Sequence, residues 1–478
     1  MKLTQLREKL DKKEISSAEL TQTYLGKINQ KNDALSAYIT VCEELAADMA
    51  KTADERIAKG ESSTLTGIPL AIKDNICMQG APTTCASKML EHYNPPYNAT
   101  AVERLKADGA VFLGKTNMDE FAMGGSSQTS YFGGPKNPYD TQRVPGGSSG
   151  GSASAVSADL CVAALGSDTG GSIRQPAAFC GVTGLKPTYG TVSRYGLVAF
   201  GSSLDQIGPI ADSAEDCALI LNVLKGADKH DQTARDTAHN DYTEKIGKSI
   251  QGMTIGIPAE FFGEGIDDDV KQSVMQVAKF YEQSGAILKE VHMPTLKYAV
   301  SAYYLLACAE ASSNLSRYDG VKYGFRAEGA ESYDELVKMT RSQGFGEEVK
   351  RRILLGTYAL SSGYYDAYYK KAMAVRQQFR REHNELFKIC DVLLTPTAPS
   401  TAYGCDENID DPVKMYAADI CTVTANIVGI PSISSVCGYD SKGLPIGFSV
   451  AANHFNDATA IQFADCFERQ FTRQPAVV

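Results

Sequence analysis

From Thr66 onward the chain alternates short apolar runs with amphipathic ones: GIPLAIKD, then TAVERLKADGA, VFLGKTN, SASAVSA and LCVAALGSD. Short apolar runs bounded by turn residues read as buried strands, and apolar positions recurring every three or four residues read as helices. Strands that alternate with helices must cross over to pair, so this pattern commits the chain to an α/β sheet. After a polar stretch over 227–250, GMTIGIP restarts the alternation, long helices are expected around Asp268 to Gln283 and Ala367 to Phe387, and DVLLTPT reads as a further strand. Residues 1–60 read as helical, with Leu3, Leu6 and Leu10 on one face and a capping-box pattern at Ser16 and Glu19. We expect this region to pack as an outer layer on a single unit over 61–478.

Of the 478 residues, 43% are hydrophobic and 22% charged, the balance of an ordinary globular protein. The formal net charge of −10 argues against a wide nucleic-acid grip. The densest basic runs, Lys350 to Arg352 and Arg380 with Arg381, read as solvated helix faces. The first residues carry charge and no apolar leader core, and no stretch approaches the length of a membrane span, so a cytoplasmic location without membrane contact is expected. Twelve scattered cysteines without CxxC spacing read as reduced core thiols, and no metal site is expected.

The chemistry concentrates in two Gly/Ser-rich loops, PGGSSGGSAS around Ser148 and GSDTGGSIRQP around Ser172, downstream of Lys73 in GIPLAIKDN. Glycine and serine at this density let backbone amides point inward and leave a hydroxyl exposed, which acyl transfer needs for its oxyanion and its nucleophile. Either loop could hold that nucleophile. Lys73 alone reads as a solvated lysine at a strand end. Beside two such loops it becomes a candidate base, provided burial keeps it neutral. Gly147, Ser149 and Gly151 also satisfy G-x-S-x-G, the nucleophile elbow of α/β-hydrolases, which requires a later aspartate and histidine. Of the six histidines only His454 is placed plausibly late, in AANHFND, so the elbow is set aside. Asp168 and Arg174 are assigned to loop architecture, and Asp205 with Gln206 to a turn near the site.

Taken together, GIPLAIKDN, GGSSGGSAS and GSDTGGSIRQPAAFCG resemble the amidase signature family. NATAVERLKADGAVFLGKTNMDEFAMGGSSQTSYFG, SLDQIGPI, DPVKMYAADICTVTANIVGIPSIS and GLPIGFSV are similar, more narrowly, to the A subunits of tRNA-dependent amidotransferases. The resemblance implies a large mixed central sheet flanked by helices on both faces, and a Ser-cisSer-Lys triad with Ser172 as nucleophile, Ser148 as relay and Lys73 as base. It implies a cis peptide between Gly147 and Ser148, and an oxyanion hole from the amides of Thr169, Gly170, Gly171 and Ser172. It places the α-carboxylate of free glutamine on Arg352, its α-ammonium on Asp419, and Tyr303 at the wall. It further implies two partners: a B subunit that binds ATP with Mg and mischarged Glu-tRNA(Gln) or Asp-tRNA(Asn), and a small C subunit that links the assembly. No cofactor is expected in this chain, which lacks the G-x-x-x-x-G-K-[ST] phosphate loop. The alternative is a self-sufficient amidase acting on small amides.

Overall fold

The computed structural model describes residues 2–236, 241–407 and 412–478. Eleven strands among these form one sheet: β1 (Tyr38–Val41), β2 (Pro69–Lys73), β3 (Val111–Thr116), β4 (Ala163–Asp168), β5 (Thr183–Lys186), β6 (Gln206–Ala211), β7 (Thr254–Pro258), β8 (Ile287–Val291), β9 (Val392–Pro396), β10 (Ser432–Tyr439) and β11 (Pro445–Ala452). Their order is β1-β3-β2-β4-β6-β5-β10-β11-β9-β7-β8. β2 runs parallel to both β3 and β4, β7 runs parallel to β8 and β9, and the intervening pairs are antiparallel. The sheet is therefore mixed, and every residue of β2, β3, β4, β5, β6 and β9 is buried. Strands buried on both faces carry continuous apolar runs rather than alternation, which is why they are readable as runs.

Residues 1–60 are not helical throughout. Between the helices Ser17–Leu35 and Glu43–Lys59, β1 pairs antiparallel with β3 and extends the sheet by one edge strand. Four residues, Tyr-Ile-Thr-Val, are too few to break a helical pattern in sequence, and their pairing partner lies far along the chain. The Ser16 box forms as its spacing predicts: the Glu19 amide donates to Ser16 Oγ (3.1 Å) and the Ser16 amide to Glu19 Oε2 (2.9 Å). Leu3, Leu6 and Leu10 are buried in the same apolar cluster as Leu70, Ile72 and Leu165 of the sheet. The first helix thus shares the main core rather than forming one of its own.

In the polar stretch, residues 237–240 lie outside the described residues, and the remainder runs over the surface in turns, anchored by buried Tyr242 and Ile250. Helices Asp268–Gln283 and Tyr369–Leu386 occupy the expected positions. Among the described residues no helix is long and apolar enough to cross a membrane.

Candidate active site

Because β2 and β4 are parallel neighbours, their C-terminal ends open at the same edge of the sheet. Lys73 is the last residue of β2, and the loop 169–173 leaves the end of β4. Between them lies the helix Gly150–Ser157, whose N-terminus carries Ser148 and Ser149. The helix is made of Gly, Ser, Ala and one Val because there is no room for more: a Cβ on Gly151 would stand 2.4 Å from Asn117 O and 2.5 Å from Ala37 O.

This arrangement brings Lys73 and both loops together. Lys73 is fully buried, and its Nζ donates to Ser148 Oγ (2.7 Å), Ser149 Oγ (2.8 Å) and Ser167 Oγ (3.0 Å). Burial pushes its pKa from 10.5 down to about 7, against the upward pull of the Asp119, Asp168 and Asp205 charges. The Gly147–Ser148 peptide is cis, and the Gly147 amide donates to Gln175 Oε1 at 2.9 Å. Ser172 differs from its neighbours. Ser148 and Ser149 are wholly buried, whereas Ser172 is 8% exposed and its hydroxyl has no hydrogen-bond partner among the described residues. Its carbonyl accepts from the Ser149 amide (3.1 Å), which ties the two loops to each other.

Ser149, the elbow candidate, has its hydroxyl enclosed between Lys73 Nζ and Ser167, to whose carbonyl it donates (3.2 Å). It is shut off from any substrate. Buried His383 sits against Phe379 O and His454 Nε2 against Val428 O, while His239 lies outside the described residues.

The loop expected to supply the oxyanion hole departs from that expectation at one position. The Gly171 amide donates to Asp168 Oδ1 (2.8 Å) and is not available to a substrate, whereas those of Thr169, Gly170 and Ser172 have no acceptor among the described residues. The cause is a buried ion pair that organises the turn. Asp168 accepts from Arg174 Nε (3.0 Å) and Nη2 (3.1 Å), and from the amides of Gly171 and Ile173. Burial pushes the Asp168 carboxyl up, but the Arg174 charge and these bonds outweigh it and hold its pKa at about 2. Asp205 completes the loop by accepting from Thr169 Oγ1 at 2.6 Å. Gly171 is also required sterically: its φ is +136°, and a Cβ there would meet Thr422 Oγ1 at 2.2 Å.

The substrate-binding candidates converge from the second half of the chain. The Tyr303 ring packs on Gly170, where a Cβ would stand 2.4 Å from its Cζ. Arg352, which reads as solvated in the run Lys-Arg-Arg, is 1% exposed. Its helix, Glu347–Leu360, buries Val349, Arg352, Gly356 and Ala359 on one stripe. That spacing, with a glycine in the middle of a helix, was the available sequence signal. The Arg352 guanidinium lies over the rings of Phe200, Tyr304 and Tyr416 at 5.5, 5.1 and 5.4 Å, its Nε donates to Glu348 Oε1 (2.7 Å), and its Nη2 is buried with no acceptor among the described residues. Asp419 is half-buried and accepts from Tyr304 Oη (2.7 Å), while desolvation raises its pKa. An always-charged donor with an unpaired edge and a carboxylate held by one hydroxyl suit the two ends of a zwitterion. Sequence reading did not single out Glu348, Tyr304, Tyr416 or Thr422, because each acts through a partner distant in sequence or hidden on a helix face.

Similarity to known proteins points the same way. The amidase family profile matches residues 19–461. The A subunit of the glutamyl-tRNA(Gln) amidotransferase of Ruminiclostridium cellulolyticum is 54% identical over 479 residues, covering 99% of each chain. The crystal structure of the corresponding A subunit of the glutamyl-tRNA(Gln) amidotransferase of Thermotoga maritima superposes with a TM-score of 0.80 at 42% identity, covering 95% of this chain and 91% of that one. The peptide amidase of Stenotrophomonas maltophilia superposes with a TM-score of 0.83 at 29% identity, over 100% and 98% of the two chains. The chain belongs to the amidase family, in the group formed by the A subunits of glutamyl-tRNA(Gln) amidotransferases.

Proposed function

We propose that this chain is the glutamine-hydrolysing subunit of a tRNA-dependent amidotransferase, with Ser172 as nucleophile, Ser148 as relay and Lys73 as base. The observation that carries the triad is the 2.7 Å contact of Lys73 Nζ with Ser148 Oγ, in a loop tied through the Ser149 amide to Ser172, whose hydroxyl has no hydrogen-bond partner among the described residues. Ser172 Oγ attacks the side-chain amide carbon of glutamine and passes its proton to Ser148, as Ser148 passes its own to neutral Lys73. The amides of Thr169, Gly170 and Ser172 receive the developing oxyanion. The proton returns through Ser148 to the leaving nitrogen, ammonia departs, and a glutamyl ester remains on Ser172. Water, deprotonated along the same path, then releases glutamate. Arg352 takes the α-carboxylate, Asp419 the α-ammonium, and Tyr303 bounds the side chain.

The relatives named as amidotransferase A subunits support the wider role. Ammonia passes to a B subunit, where ATP with Mg activates a mischarged Glu-tRNA(Gln) or Asp-tRNA(Asn), and a C subunit joins the two; the assembly works in the cytoplasm. Glutamate release and tRNA amidation by the full chain, purified with its accompanying subunits, test this reading. Ser172→Ala is expected to lose glutamine hydrolysis by at least about a thousandfold while amidation driven by added ammonium persists. Glutaminase retained within tenfold overturns the nucleophile. Faster hydrolysis of simple aliphatic amides than of glutamine by the isolated chain favours the stand-alone amidase.

A further inference from the structure

Glu348 touches neither the triad nor the scissile end of the pocket, yet it joins both ends of the amino-acid site. It is 7% exposed and stands one turn before Arg352 on the same helix. Its Oε1 accepts from Arg352 Nε (2.7 Å) and from Tyr416 Oη (2.9 Å), and its Oε2 accepts from Arg351 Nη1. Tyr416 stacks on Tyr304 with ring centroids 3.9 Å apart at 25°, and Tyr304 Oη donates to Asp419 Oδ2. One carboxylate oxygen thus contacts the arginine directly and reaches the aspartate through two stacked rings.

We propose that Glu348 is a positioning residue that sets the Arg352 guanidinium for the α-carboxylate of glutamine, with Tyr416 Oη fixing the carboxylate oxygen that does so. The physical case begins with the planar guanidinium. With Nε pinned by Glu348 and three aromatic rings around its carbon, rotation about the last side-chain bonds is blocked, so the guanidinium is held in one orientation. Nη2 is buried with no partner among the described residues, and leaving a charged donor in that state is costly unless an acceptor arrives. A pinned fork loses little freedom on binding, which favours a rigid carboxylate partner over water. The role depends on reach rather than on charge alone, because the accepting oxygen must meet both Arg352 Nε and Tyr416 Oη.

This inference rests on the glutamine-site reading above, and the experiment separates the two. The full chain, with its accompanying subunits, is assayed on glutamine and on 4-aminobutanamide, which keeps the amide and the amine but lacks the α-carboxylate. Glu348→Asp keeps the charge and withdraws the oxygens from Arg352; it is expected to raise KM for glutamine roughly tenfold to a hundredfold, with kcat within about threefold and 4-aminobutanamide hydrolysis within about twofold. Glu348→Gln keeps the reach and one accepting oxygen, and its KM is expected to stay within about threefold of the parent. In an Arg352→Ala background, Glu348→Asp is expected to add less than about twofold, since the group it positions is gone. A KM rise shared equally by both substrates, a Gln variant worse than Asp, or additive effects in the double variant overturns the proposal. An Arg352→Ala variant with unchanged KM for glutamine overturns the reading of the site together with it.

Discussion

If Lys73 is the base, the acid side of the pH profile belongs to it, and the structure sets where that limb falls. An ordinary lysine with a pKa of 10.5 would be neutral in only about 0.3% of molecules at pH 8. Burial among Ser148, Ser149 and Ser167 brings the value to about 7, so roughly nine-tenths are neutral at pH 8 and about one-tenth at pH 6. Hydrolysis of glutamine, followed as glutamate release from pH 5.5 to 9, should therefore rise about tenfold per unit below pH 7 and level off above it. Lys73→Arg presents a donor that never deprotonates in this range, and the expected loss is about a hundred- to ten-thousandfold. Glu120 is also raised to about 7 by burial, and the pKa of Asp419 is raised by desolvation, so the limb is assigned to Lys73 only by its disappearance from the residual activity of Lys73→Arg. Stability carries an independent sign. Between about pH 7 and 10.5 the unfolded chain holds a proton on Lys73 that the folded chain has released, so this group makes stability rise with pH across that window. Lys73→Met should flatten the rise in urea midpoint, without abolishing it, because burial brings Lys186 down to about 7 as well. A profile flat from pH 5.5 to 7, or Lys73→Arg activity within threefold of the parent, refutes the base assignment.

Two further substitutions test the turn proposed to bind the oxyanion. Gly171→Ala forces a side chain onto a φ of +136° and into Thr422 Oγ1; it is expected to cost about 1–3 kcal/mol in urea denaturation and to depress kcat more than KM, and a variant with parental stability would show that the turn is not constrained as described. Arg174→Met leaves Asp168 buried without its partner, and the expected loss is about 3–5 kcal/mol, read by the same denaturation. A loss under about 1 kcal/mol would mean that the amides of Gly171 and Ile173, with Asn426, suffice to hold that carboxylate.

Much of the sheet was legible because its strands are buried on both faces and so appear as uninterrupted apolar runs: β2, β3, β4 and β9 all fall where those runs do. The Ser16 cap was legible because a capping box depends only on residues three apart. β1 was not, since four residues at a sheet edge owe their conformation to β3 rather than to their own pattern. Arg352 misled for a related reason. A basic run is normally solvated, and only packing against Phe200, Tyr304 and Tyr416 shows which of the three cations has turned inward.

What the sequence determined by itself was chemical inventory and local form: two loops able to expose serines and amides, a lysine at a strand end, and an alternation that requires a sheet. Those depend on neighbours in the chain. The distances that make them a site were decided by tertiary structure. Parallel pairing of β2 with β4 brings Lys73 to the two loops, burial lowers its pKa to about 7, and Asp168 engages the Gly171 amide. The enclosure of Ser149 and the opening of Ser172 depend on the same packing. Each is an effect of desolvation or hydrogen bonding between residues far apart in the chain, and such effects exist only once the fold has brought them together.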